Sequence, residues 1–301
     1  MHAGARISIL CKWFNVSRQA YYQHEWRLSV EVFEHGLLLE EIMEIRKRHN
    51  RIGTRKLYVM LADFMRENNI KMGRDGLFSL LSSHSLLVRN RKRHVRTTQS
   101  YHWLKKYSNL VIDFTPVQPN QMWVCDITYW KTGQNVFYIS LITDAFSRKI
   151  VGFHLSLTLH AEETMKALKM ALLWLPRATN GSTKLIHHSD RGVQYCSSSY
   201  TNLLKKNSIS ISMTQSGDPI ENAIAERVNG ILKDEYLYDI QCDSIAEASM
   251  RLETAVGLYN NERPHSSIGN FIPEYVHNQY NDIPQESIKR LWKNYYTRRS
   301  A

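Results

Sequence analysis

The stretch Trp123-Val124-Cys125-Asp126-Ile127-Thr128-Tyr129-Trp130 sets one carboxylate inside a run of β-branched and aromatic residues. Aspartate is depleted in strands and costly to bury without a partner, so Asp126 here points to chemistry more than to packing. Working outward, Met122–Trp130, Val136–Thr143 and Lys149–Leu157 are β-rich runs. They are separated by Gly133, Asn135 and Ser147-Arg148, residues that make turns, and they predict a three-strand meander. A helix follows over Ala161–Leu175, closed by Pro176. Then come a strand over Thr183–His188, a short helix over Tyr200–Lys206 and a strand over Ile209–Met213. Ile220–Asp234 and Ile245–Asn260 read as long helices.

That order, three antiparallel strands and then helix, strand, helix, strand, helix, is the order of a ribonuclease-H-like fold. The expected class is α/β (α+β layered), with helices packed on a mixed sheet. In such a layout Asp126, Asp190 after the fourth strand and Glu226 on the first long helix converge at one edge of the sheet. Hard divalent cations want oxygen ligands, and Mg²⁺ keeps waters while using a few carboxylates plus substrate phosphate. Two such ions about 3.5–4 Å apart clamp the attacking and leaving oxygens of a phosphodiester displacement. Helical phase selects Glu226 among its neighbours. At about 100° per residue, Ile224, Val228 and Ile231 lie opposite it, and Asn222, Asn229 and Lys233 fall within about 60° of it. Glu221 and Glu235 point toward the apolar side.

The 301 residues carry 39 Lys+Arg and 28 Asp+Glu, a net charge of +11. Residues 1–120 hold 20 and 10 of these, and residues 121–301 hold 19 and 18, so nearly all the excess lies in the first part of the chain. The densest block, Arg89-Asn90-Arg91-Lys92-Arg93-His94-Val95-Arg96, suits a phosphate backbone; it also suits a solvated basic linker. The most apolar stretch, around Ala167–Leu175, is about nine residues and too short to span a bilayer. Cys11, Cys125, Cys196 and Cys242 lie far apart with no CxxC pair, which argues against a zinc knuckle or a disulfide framework. A cytoplasmic location is expected.

Ile7–Phe14 followed by Ser17, which can cap a second short helix, gives residues 1–34 a helix-turn-helix-like outline that any helical hairpin shares. Leu37–Arg48, Lys56–Glu67 and Gly76–Leu86 read as three helices. They define a helical region over 35–96, either a DNA-binding bundle or an ordinary subdomain. Residues 97–120, polar and containing Pro116 and Pro119, read as a linker. The catalytic core is expected over 121–280, with a basic tail over 281–301.

Trp123-Val124-Cys125-Asp126-Ile127-Thr128-Tyr129 resembles the W-x-T-D-I-T-Y motif of bacterial insertion-sequence transposases, the DDE class with a retroviral-integrase-like core. Thr143–Gly152 resembles that family's D-x-x-S-R-x-I-V-G. His187-His188-Ser189-Asp190-Arg191-Gly192-Val193-Gln194-Tyr195 matches H-S-D-R-G-x-Q-Y almost throughout. Ser212 through Glu226 resembles S-M-S-x-x-G-x-x-x-D-N-A-x-x-E, and Tyr259–His265 resembles the closing Y-N-x-x-R-P-H. Between Asp190 and Glu226 stand 35 residues, the family's D-35-E spacing. The likeness is detailed over about residues 120–277 and looser over 35–95. Cys125 stands for the usual Thr, Glu221 for the usual Asp, and Asn229-Gly230 for a bulky pair; the three carboxylates are intact.

The resemblance implies a DNA transposase, with strand cleavage by water and strand transfer by a 3′-hydroxyl. Asp126, Asp190 and Glu226 would be its catalytic residues and would bind two Mg²⁺ ions, with Mn²⁺ as a substitute. It also implies a copy-out route through a circular intermediate. The expected partners are DNA at element ends and target, further copies of the chain as a homo-oligomer, and an upstream-frame protein or fusion partner. No sustained heptad pattern opens the chain, which is why it resembles the downstream, catalytic product. The expected location is bacterial cytoplasm at the nucleoid. A ribonuclease-H-like nuclease without strand transfer and a catalytically inactive DNA-binding regulator are the alternatives.

Arg89, Arg91, Lys92, Arg93, Arg191, Lys233 and Arg263 are the candidate DNA contacts; Arg263 equally suits a helix terminator. Asp144 suits a turn or an arginine pair, or the active site. His187 and His188 are expected to pack or to orient a ligand, since Mg²⁺ prefers oxygen. Trp123 and Trp130 read as core aromatics.

Overall fold

The chain divides into two compact units, Met1–Val88 and Arg89–Ala301, in a computed structural model that describes residues 6–89, 103–112, 114–175, 185–215 and 222–283. In the first unit α1 (Ile7–Trp13) precedes α2 (Arg18–Arg48), and Ser17 Oγ accepts the Ala20 N–H at 3.0 Å as the expected cap. The capped helix is not short. It runs for 31 residues, straight through the expected division between residues 34 and 35. The only breaker in its path is Gly36, which costs a helix about 1 kcal/mol. That is too little to end a helix whose next turns bury Leu38, Ile42 and Ile45. These three side chains meet Leu57 of α3 (Thr54–Met60), Met65 of α4 (Ala62–Glu67) and Leu77, Leu80 and Leu81 of α5 (Arg74–Ser83) in one apolar core.

The second unit is built on a five-stranded sheet. Its strands are β1 (Met122–Thr132), β2 (Asn135–Asp144), β3 (Ile150–Ser156), β4 (Ile186–Ser189) and β5 (Ser210–Met213), in the order β3-β2-β1-β4-β5. The first three are antiparallel, and β4 and β5 run parallel to β1 and to each other. This is the ribonuclease-H-like arrangement. On one face pack α6 (Ala161–Trp174), α7 (Val193–Cys196) and α8 (Ser198–Lys206). On the other pack α9 (Ala223–Ile231), the π-helical turn Leu232–Tyr236 and α10 (Ile245–Asn261). Gly152 lets α6 lie close on β3: a Cβ there would fall 2.3 Å from the Ala167 carbonyl oxygen.

The period of two along β1 decides which side each residue serves. Trp123 and Cys125 enter the core under α6–α8, while Val124 and Trp130 enter the cores under α9 and α10. Asp126, in phase with Val124 and Trp130, therefore faces α9.

The expected linker is partly structured. Ser108 and Leu110 run beside β5: Met213 N donates to the Ser108 carbonyl at 3.3 Å and Leu110 N donates to Ser212 Oγ at 2.9 Å. Val111 is buried. This extension covers the exposed edge of β5, where unpaired strand groups would otherwise invite foreign strands. The core also continues past residue 280, since Ile283 packs with Phe146, Ile268 and Val276. The rest of the expected C-terminal tail, from residue 284, lies outside the described residues.

Candidate active site

Parallel pairing brings two of the predicted carboxylates together. Cys125 of β1 is in register with Ser189 of β4, so the next residue on each strand, Asp126 and Asp190, stand side by side where the strands part. Both are half-buried. Asp190 Oδ1 accepts the Gly192 N–H at 2.9 Å, which closes the turn that leaves β4. Asp126 Oδ1 accepts the N–H of Ile127 at 2.9 Å, and its Oδ2 accepts the side-chain N–H of Asn229 at 2.8 Å. Glu226 lies in the first turn of α9 and is exposed. Among the described residues no three His, Cys, Asp or Glu side chains lie close enough to form a ready-made ion site.

Burial, then the charge of Asp190, then that of Glu226, push the Asp126 carboxyl up, against the hydrogen bonds from Asn229 and Ile127; the result is about 7. The folded protein therefore holds a proton on Asp126 at pH values where the unfolded chain, at about 3.8, has released it. Stability from this group is fully present below about pH 4 and is lost as the pH rises through about 7. In chelator the melting temperature of wild type should fall over that window more steeply than that of Asp126→Asn, as a pH series of thermal melts would show. Parallel curves would mean that Asp126 is not under this strain.

The face of α9 that carries Glu226 is not simply solvated; it is sewn onto β1. Asn222, before the helix, donates to the Cys125 carbonyl at 3.0 Å, Asn229 to Asp126, and Lys233 Nζ to Thr128 Oγ1 at 3.0 Å. Lys233 Nζ also lies 4.7 Å from the centre of the Tyr129 ring. Sequence reasoning placed these three residues on the face of Glu226 but gave the two asparagines no task. The available signal was Asn229 itself, an unusual residue for its motif.

Arg263 corrects an expectation. It is 1% exposed, and its guanidinium forks onto Glu235, with both N–H···O distances 2.7 Å. Its place is inside the protein and not against DNA. The π-helical turn, closed by Leu237 N to the Leu232 carbonyl at 2.9 Å, aims Glu235 at this partner. Asp144 is likewise structural. It is fully buried and accepts from Ser147 N and Oγ and from Asn120 N, each at 2.7 Å, and so ties the β2–β3 turn to the chain entering β1. His277 of α11 (Pro273–Asn278) closes the group, its Nδ1 3.0 Å from Ser147 Oγ.

His187 and His188 both pack. His187 Nε2 lies 2.9 Å from Cys125 Sγ and 2.9 Å from the Tyr200 hydroxyl, and burial lowers it to about 3, a neutral ring. His188 Nδ1 lies 2.9 Å from Ser212 Oγ. Trp123 and Trp130 are core residues as expected. Arg191 follows Asp190 directly and is half-buried. Arg91, Lys92 and Arg93 lie outside the described residues, and Arg89 is the last described residue before them.

The integrase core domain family matches this chain over residues 116–219, and a second integrase core domain family matches over residues 207–273. The insertion element IS600 uncharacterized 31 kDa protein of Shigella sonnei is 34% identical over 91% of this chain and 99% of its own length. The transposase for insertion sequence element IS629 from the same organism is 30% identical over 91% of this chain and 92% of its own length. The chain belongs to the insertion-sequence transposases with an integrase core domain. Transposase InsF for insertion sequence IS3A of Escherichia coli is 28% identical over 91% of this transposase and 94% of its own length. Among solved structures, the catalytic core domain of HTLV-2 integrase in complex with magnesium is 21% identical and covers 54% of this transposase and 98% of that chain, with a TM-score of 0.42. Among the described residues no helix of this transposase is long and apolar enough to cross a membrane.

Proposed function

We propose that this transposase cuts and joins DNA by phosphoryl transfer, with Asp126, Asp190 and Glu226 holding two Mg²⁺ ions, or Mn²⁺ in their place. The observation that carries the reading is the placement of Asp126 beside Asp190 at the end of paired parallel strands, with Glu226 close enough to raise the Asp126 carboxyl further. The residues fit such ions. The donors are all hard oxygens, their mutual repulsion is what a cation relieves, and Asn229 Oδ1 beside them is buried and accepts no hydrogen bond among the described residues. When bound, the ions supply Lewis-acid polarisation of the phosphodiester and acidify the attacking oxygen.

The chain's own groups do the rest. Asn229 holds the Asp126 carboxylate in one orientation, and Asn222 holds the strand beneath it. Lys233, in the π-helical turn that follows α9, and Arg191, next to Asp190, offer positive charge for the phosphates on either side of the scissile bond. Water as nucleophile gives strand cleavage at an element end, and a 3′-hydroxyl gives joining to target DNA. The protein does this as an oligomer on DNA, with the upstream-frame protein as its second partner.

The test is cleavage and joining of a duplex carrying the element ends, with and without the upstream-frame protein. Products should form in Mg²⁺ and Mn²⁺, Ca²⁺ should give bound DNA without products, and chelator should give none. Full activity in chelator would overturn the reading, and cleavage without joining in Mg²⁺ would reduce the enzyme to a nuclease.

A further inference from the structure

Residues 121–301 are nearly neutral in total, yet the charge is not spread evenly through the fold. From Arg191 to Gln215, through α7, α8 and β5, there are 25 residues with Arg191, Lys205 and Lys206 and no carboxylate. The extension along the β5 edge adds Lys105 and Lys106, and residues 103–112 again hold no carboxylate. Two segments far apart in sequence are thus laid side by side by the hydrogen bonds between Ser108, Leu110 and β5.

Tyr107 is where they meet. Lys105 Nζ lies 5.4 Å and Lys205 Nζ 5.9 Å from the centre of its ring. Lys105, Lys106, Lys205 and Lys206 are all exposed, and among the described residues none of them pairs with a carboxylate. Trp103, at the start of the extension, is 92% exposed. The basic strip reaches the carboxylates. Met213 of β5, whose N–H donates to the Ser108 carbonyl, has its Sδ 3.6 Å from Cys196 Sγ of α7, and that sulfur lies 4.0 Å from the carbonyl of Arg191, the residue after Asp190.

Like charges gathered without partners repel one another and are stabilised by an anion laid across them. A row of exposed lysines on flexible stems takes a line of phosphates without reading bases. We propose that this strip, Lys105, Lys106, Lys205 and Lys206 around Tyr107, is a binding track for the phosphate backbone of a DNA duplex that leads into the Asp126–Asp190 site. The proposal rests on the function proposed above and assigns DNA binding to four lysines that are not part of the basic block Arg89–Arg96.

The experiment is a salt titration of binding by the full chain in Ca²⁺, on end-bearing and on random duplex, with cleavage in Mg²⁺ measured in parallel. Changing all four lysines to Gln should flatten the log–log salt slope by about 0.9 for each phosphate that is no longer neutralised, up to about 3.6. The melting temperature should stay unchanged, because all four side chains are exposed. Changing the four to Arg should restore the wild-type slope. A flatter slope on both duplexes assigns the track to any DNA backbone, and a flatter slope on end-bearing DNA alone assigns it to the element ends. An unchanged slope in the Gln variant, while wild type still cleaves, overturns the track and leaves the proposed function standing. A wild type without metal-dependent cleavage overturns the proposed function, and the slope still tests the track.

Discussion

Asp126→Asn, Asp190→Asn and Glu226→Gln should each lower strand cleavage by roughly a thousandfold or more while leaving DNA binding in Ca²⁺ within about threefold of wild type. The magnitude follows from the stabilisation of transition-state charge by a bound cation, several kcal/mol, of which about 4 kcal/mol is a thousandfold in rate. Binding is spared because the carboxylates repel phosphate; lysines and arginines attract it. Glu235→Gln is the control for helical phase. Its side chain is turned to Arg263, so it should cleave at a rate near that of wild type wherever it folds. Single-turnover cleavage of a labelled end duplex measures all four variants. If Glu226→Gln cleaved normally and folded Glu235→Gln did not, the assignment of the third carboxylate would be wrong. Asp126→Asn carries a second check, since removing the crowded charge should also raise the metal-free melting temperature above pH 7, where wild-type Asp126 is ionised against its surroundings.

The second large effect concerns stability. Arg263→Met should lower the melting temperature of the catalytic unit by roughly 10 °C. Removing one partner of a buried ion pair leaves the other uncompensated and costs about 3–5 kcal/mol. For a unit of some two hundred residues each kcal/mol is about 2–4 °C. Glu235 sits on the π-helical turn after α9, and Arg263 follows α10, so the pair joins the two helices that cover one face of the sheet. The double variant Arg263→Met with Glu235→Leu should recover most of the loss, because replacing both charges by apolar groups of similar size removes the desolvation cost along with the attraction. Differential scanning calorimetry in Mg²⁺ compares the three proteins. A single variant that melts within about 2 °C of wild type would show that the pair contributes little to stability.

Much of this protein could be read along the chain, and the reasons are local. The strands of the meander alternate and are bounded by turn residues, so their existence and order follow from a period of two. Asp126 stood out because a carboxylate inside a β-branched run conflicts with its surroundings. Glu226 stood out because a helix has a phase, and Ala225, Val228 and Ile231 are indeed buried on other sides of α9. Ser17 was legible as a cap because capping involves only residues three apart.

What only the tertiary structure decided is the meaning of charge and polarity that depend on a distant partner. Arg263 has the composition of a DNA contact and becomes an internal strut because Glu235, 28 residues away, is turned toward it by a π-helical turn that a uniform 100° period does not describe. Asn229 looks like a surface residue on a polar face and becomes the clasp of Asp126, 103 residues away, because that face docks on β1. A linker read from proline and polar content becomes the cover of the β5 edge, and so carries Lys105 and Lys106 to Lys205 and Lys206. Periodicity and propensity act over a few residues. Ion pairs, docked faces and charged strips are made between segments whose separation along the chain has no bearing on their distance in space.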